Sequence, residues 1–120
     1  MLLSLLVLGC SRDLPVPEGQ RCAVDGDKRA CTHDTLRLSP GSLSSREVHF
    51  QTPLGTPPPD GWPVVLLFQG SLYSAQRSWA ADRDGAHGAW WQTALIEELL
   101  ATGFAAVSYT HLTLPTTPYV

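Results

Sequence analysis

The run Val64-Val65-Leu66-Leu67-Phe68 constrains this chain more than any other feature. Consecutive apolar, β-forming residues with no polar alternation predict a strand covered on both faces, as in a parallel sheet. Gln69-Gly70-Ser71 follows as a tight turn, and Ser71 to Gly88 is a longer polar segment holding Trp79 and the cluster Asp82-Arg83-Asp84. The spacing then predicts a helix over 89–102. Leu95, Ile96, Leu99 and Leu100 form one stripe, with Glu97 and Glu98 beside it. Gly103 is a natural C-terminal stop, and Phe104-Ala105-Ala106-Val107 resumes as a second apolar strand. Strand, helix, strand in this order is a βαβ unit with an expected right-handed crossover, so the fold class is α/β.

Upstream, Ser44 to Thr52 alternates, with Val48 and Phe50 on one face and Glu47, His49 and Gln51 on the other, the pattern of a half-buried strand. Thr35-Leu36-Arg37-Leu38 is a shorter candidate strand. Pro53 to Pro63 holds five prolines and two glycines and must be irregular. Residues 11–21 are polar and broken by prolines, as in a tether.

Composition excludes several classes. The chain has 120 residues, 43% apolar and 16% charged, too apolar for a disordered tail and long enough for one small domain at most. No apolar run reaches the ~18 residues of a membrane-spanning helix. Eight basic against eleven acidic residues give a net charge of −3 with no basic stripe, so no nucleic-acid partner is expected.

The first ten residues, MLLSLLVLGC, resemble the end of a bacterial lipoprotein signal peptide, with Val7-Leu8-Gly9-Cys10 as the lipobox. No Lys or Arg precedes the apolar run, a departure from the usual pattern. The resemblance implies removal of residues 1–9, lipidation of Cys10, and a protein of the bacterial cell envelope, lipid-anchored or secreted. The membrane is then a partner through the anchor at Cys10. Three cysteines are an odd number for an exported chain. With Cys10 lipidated, Cys22 and Cys31 remain as a disulfide pair or as two free thiols. Residues 10–43 then read as tether plus disulfide-closed loop.

The segment from Val64 to Ser71 sits where an α/β-hydrolase carries its oxyanion strand and turn. The resemblance covers roughly Glu47 to Val107, and Gly61-Trp62-Pro63 through Gly70 looks most like secreted esterases of the polyhydroxyalkanoate-depolymerase kind. Gln69-Gly70 stands where that superfamily commonly has His-Gly. The resemblance implies a partial α/β-hydrolase-type fold over 44–106. It also implies oxyanion stabilisation by backbone N–H groups at Gly70 and Ser71, with that of Ser71 as one donor. Glycine suits such a turn because the backbone must approach the substrate closely. A small-molecule or polymer ester would be the substrate of the parent protein, with no cofactor. No serine here has the Gly-x-Ser-x-Gly context, and in this superfamily nucleophile, acid and histidine come later in the chain. The expectation is an inactive N-terminal fragment that aggregates or stays largely unfolded. The rival expectation is a small non-enzymatic surface lipoprotein acting as a binding module.

The end of the chain, VSYTHLTLPTTPYV, carries no charge and no helical period. Val107 to Thr116 resembles translated sequencing-adapter DNA, which makes 107–120 a non-native tail. Metal chemistry finds little support. Asp25-Gly26-Asp27 begins like a calcium loop, but Arg29 and Ala30 occupy positions that need an oxygen ligand and a glycine. His33, His49, His87 and His111 lack zinc spacing. Asp82 and Asp84 flank Arg83 as a solvated loop would. Trp62, Trp79, Trp90 and Trp91 could line an apolar cleft or cover a sheet. The adjacent pair Trp90 and Trp91 points ~100° apart on a helix.

Overall fold

The computed structural model describes residues 14–39, 46–69 and 74–110. Its strands are β1 (Cys22–Asp25), β2 (Lys28–Cys31), β3 (Asp34–Leu38), β4 (Arg46–Gln51), β5 (Val64–Gln69), β6 (Ala80–Asp82) and β7 (Ala105–Thr110), with one α-helix, α1 (Ala89–Ala101). Short 3-10 turns cover Ala75–Ser78 and Ala86–Gly88. The result is an α/β arrangement of two sheets and a helix. One sheet is three-stranded, β1-β2-β6, and the other four-stranded, β3-β4-β7-β5.

The larger sheet is mixed. β5 and β7 run parallel with Leu66 opposite Val107, while β7–β4 and β4–β3 are antiparallel. β5, α1 and β7 therefore form the βαβ unit that the apolar runs predict. β7 continues past Ala106 through Val107–Thr110, the beginning of the stretch that resembles adapter translation. Alternating Val, Ser, Tyr and Thr pair well on a pleated surface, whatever their origin. Residues 111–120 lie outside the described residues, as do the proposed signal segment and Cys10.

β1 and β2 are a hairpin where the sequence suggested a loop. Its two-residue connection, Gly26-Asp27, has Gly26 at φ +60°, the conformation a tight hairpin asks of its first central residue. Asp25 and Asp27 thus serve a turn. Cys22 and Cys31 face each other across the open end of the hairpin and are joined by a disulfide. In the chain-entropy account this short loop stabilises by roughly 2–3 kcal/mol.

α1 ends as expected. Gly103 takes φ +95°, and the Phe104 N–H reaches back to the Leu99 carbonyl at 2.9 Å, closing the last turn. The buried stripe differs from the apolar one in the sequence. Ala89, Trp90, Thr93, Ile96 and Leu100 face inward, whereas Leu95 is exposed. The helix is oriented by Trp90 and Ile96, and Thr93 is tolerated inside because its hydroxyl donates to the Ala89 carbonyl at 3.1 Å.

β5 also departs from the expected two-sided cover. It borders no further strand among the described residues, and Val64, Leu66 and Phe68 are exposed, so the apolar run is covered on one face. β4 differs from expectation too. The residues it buries are His49 and Gln51, while Val48 and Phe50 are half-buried on the open side. The core lies between the covered face and α1. It gathers Cys31, Trp79, Ile96, Leu100 and Ala106, with Leu67, Leu99 and Cys22 packed around it.

Candidate active site

In a parallel βαβ unit, ligands gather beyond the carboxyl ends of the strands. Here that end is Gln69, the last residue of β5. Gly70 and Ser71, the candidate oxyanion donors, lie outside the described residues. The structure does describe what holds the strand immediately before them.

Gln69 is buried beneath the sheet and tied to two other elements. Its Nε2 donates to Ser78 Oγ in the 3-10 turn and, at 2.6 Å, to Gln92 Oε1 on α1. Ser78 Oγ donates to the same Gln92 oxygen at 3.0 Å. Gln92 Nε2 then donates to the His87 carbonyl at 3.2 Å. His87 has φ +58°, a left-handed conformation that few non-glycine residues adopt and histidine adopts more readily than most, and Gly88 follows at φ +67°. Backbone strain is thus held beside the first turn of the helix by a side chain that also holds Gln69. Such over-determined local strain is characteristic of functional sites. This polar cluster fixes the end of β5 at Gln69. Neither Ser78 nor Gln92 carries a sequence signal that points to this cluster. Gln69 was visible as an unusual polar residue ending an apolar strand, but its partners are nine and twenty-three positions away.

The same side of the sheet carries a second buried polar group. Trp79 is fully buried, and its Nε1–H donates to Ser108 Oγ at 2.7 Å; Ser108 in turn donates to the Ala75 carbonyl at 2.9 Å. His33 packs 5.0 Å from both the Trp79 ring and the His49 ring. His49 Nδ1 lies 3.0 Å from Thr35 Oγ1, and its Nε2 is 3.7 Å from Glu47. Burial lowers the His49 pKa below its ordinary value near 6.5, helped by His33 and opposed by Glu47. His49 is thus hydrogen-bonded inside the sheet, and among the described residues there is no group of three or more His, Cys, Asp or Glu side chains that could hold a metal ion.

The remaining sequence candidates also find places. Trp90 is buried, with Arg29 and Arg83 stacked 4.7 and 5.0 Å from its ring, whereas Trp91 is exposed. The adjacent tryptophans do diverge. Asp82 ends β6 and Arg83 is engaged on Trp90, so this cluster is less a free loop than its charge suggested. Arg29 also pairs with Glu97 of α1 at 2.6 Å, linking hairpin to helix. Trp62 is half-buried at the far end of β5 and lines a separate cavity.

A poly(3-hydroxyoctanoate) depolymerase of Pseudomonas fluorescens is 34% identical to this chain over 79 residues. The match covers 66% of this chain and 28% of that protein. This partial match supports a depolymerase- or esterase-like relationship and an ester-hydrolase-like origin. The chain spans little more than a quarter of that relative's length. No family model matches the chain, and no solved structure matches it.

Proposed function

We propose that the chain is the oxyanion-side portion of an exported serine ester hydrolase of the polyester-depolymerase kind. The observation that carries this reading is the polar clamp on Gln69, at the carboxyl end of the βαβ unit, in a chain related to a polyester depolymerase. In acyl transfer the carbonyl oxygen of the ester gains negative charge as the nucleophile adds. Fixed backbone N–H groups stabilise that charge without reorganising. Anchoring Gln69 to Ser78 and Gln92 holds the end of β5, the strand that leads into the candidate donors Gly70 and Ser71. A serine, a histidine and an acid from polypeptide beyond these 120 residues supply nucleophile and proton transfer, since no serine here has the Gly-x-Ser-x-Gly context. Cys10 carries a lipid that holds the protein at the cell envelope, and the 120-residue chain alone is inactive.

The test is to resequence the source locus outward from the codons for Phe104 to Val107, express the continuous reading frame, and assay it on p-nitrophenyl octanoate. The expected outcome is a longer frame with Gly-x-Ser-x-Gly, hydrolysis by the long protein and none by the 120-residue chain. Gln69→Leu in the long protein should lower kcat more than it raises KM. A genomic frame that reproduces VSYTHLTLPTTPYV followed by a stop would overturn the reading in favour of a binding module.

A further inference from the structure

At the opposite end of β5 from Gln69, a cavity of about 490 Å³ opens between the residues preceding β1, the 52–62 loop and the last turn of α1. Five strand rises of ~3.3 Å, ~16 Å along β5, separate Gln69 from Val64 at the cavity end of the strand. Trp62, Pro53, Leu54 and Leu100 make its walls apolar, while Arg21 and Glu97 bring charge to it. Its size falls among small-molecule sites, roughly 300–1,000 Å³.

The two charges are not equivalent. Glu97 is already paired with Arg29 at 2.6 Å. Arg21 donates its Nε–H to the Thr52 carbonyl at 2.9 Å, which anchors the guanidinium against the loop. No other side-chain hydrogen bond ties that guanidinium among the described residues, and it has five N–H donors in all. The cavity therefore offers a compensated carboxylate and a positioned cation with donors to spare, against an apolar wall.

The wall is also preorganised. Pro58-Pro59-Asp60-Gly61 closes a turn with the Gly61 N–H on the Pro58 carbonyl at 2.8 Å, with proline and glycine at the positions such a turn favours. Pro63 then leads into β5, its carbonyl accepting from the Ala105 N–H at 2.8 Å. A loop already stiffened by proline loses little freedom on binding. Leu54 is 52% exposed beside this cavity, apolar surface that an alkyl chain would cover.

We propose that this cavity binds an aliphatic carboxylic acid, its alkyl chain against Trp62 and Leu54 and its carboxylate on Arg21. The site lies at the opposite end of β5 from Gln69 and does not depend on the ester-hydrolase reading, because its test contains no ester. Isothermal titration of the continuous reading frame of the source locus, confirmed as folded by a cooperative urea transition, with sodium octanoate below its micelle concentration should give saturable one-to-one binding, and sodium acetate should give none. Leu54→Asp and Trp62→Ala should each weaken octanoate binding by about tenfold or more, since each removes or opposes apolar burial worth ~1.4 kcal/mol or more. Leu66→Asp, on the open face of the sheet, should leave the affinity unchanged. Absence of saturable octanoate binding would overturn the proposal. So would equal affinity in Leu54→Asp and the parent chain, or loss of binding in Leu66→Asp, which would place the ligand on the sheet.

Discussion

The two faces of the four-stranded sheet divide polar and apolar residues unusually. The face under α1 and Trp79 presents Ala106 and Leu67 together with four buried polar side chains, His49, Gln51, Ser108 and Gln69. The opposite face presents Leu36 and Leu38 from β3, Val48 and Phe50 from β4, Val107 and Tyr109 from β7, and Val64, Leu66 and Phe68 from β5, in lateral register. Of these, Leu36, Leu38, Val64, Leu66 and Phe68 are exposed. Burial of polar groups is tolerated because each has a partner: Thr35 for His49, Thr32 for Gln51, Trp79 for Ser108, and Ser78 with Gln92 for Gln69. The contrast teaches that cover is decided by where the helix lands. Hydrophobicity of a strand face does not by itself secure a layer over it.

The largest break in this comparison should come from the covered face. Trp79→Ala removes the fully buried indole and leaves Ser108 without its donor, so unfolding free energy should fall by about 3–5 kcal/mol in urea titration. Next, Cys22→Ser with Cys31→Ser frees the hairpin that closes over Trp79, and the same titration should show a loss of about 2–3 kcal/mol. Gln69→Leu should cost about 1–3 kcal/mol, because it deprives Ser78 and Gln92 of a buried donor. Leu66→Thr on the open face should stay within about 0.5 kcal/mol while lowering the binding of an apolar dye.

Acid offers another way to sharpen the contrast. The His49 pKa is lowered in the folded chain, first by burial and then by His33. Just below pH ~6.5 the unfolded chain therefore binds a proton that the folded chain refuses, and the His49 contribution to stability falls as pH drops through that window. Thermal melts at pH 7.5 and pH 5.5 should show the lower melting temperature in acid. His49→Gln should reduce the difference. An unchanged gap in that variant would mean that another group dominates the acid response.

Much of the architecture was legible along the chain. The apolar runs at 64–68 and 104–107 with a helix between them are β5, α1 and β7, because parallel strands joined by a helix leave a continuous apolar signature. Gly103 ends the helix through a backbone conformation that glycine adopts at little cost. The polar segment 71–88 concealed β6 and Ser78, since a three-residue strand has too few positions to show a period. The β1–β2 hairpin was hidden for the same reason, although Gly26-Asp27 marked its turn. For the site, Gln69-Gly70-Ser71 stood out as a turn at a strand end. Its support from Gln92 did not, because that contact depends on the angle at which α1 crosses the sheet.

Alternation and apolar spacing by themselves determined which residues share a face: Val48 with Phe50, and His49 with Gln51. Local geometry enforces this, since successive side chains on a strand must point to opposite sides. Which of those faces would be covered was decided by the tertiary structure alone. The β5–α1–β7 connection brings α1 to one side, and Trp79, the disulfide and the polar clamp on Gln69 fill the space beneath it. Once their hydrogen bonds are matched, polar side chains can occupy that interior at modest cost, and the apolar face is left outward.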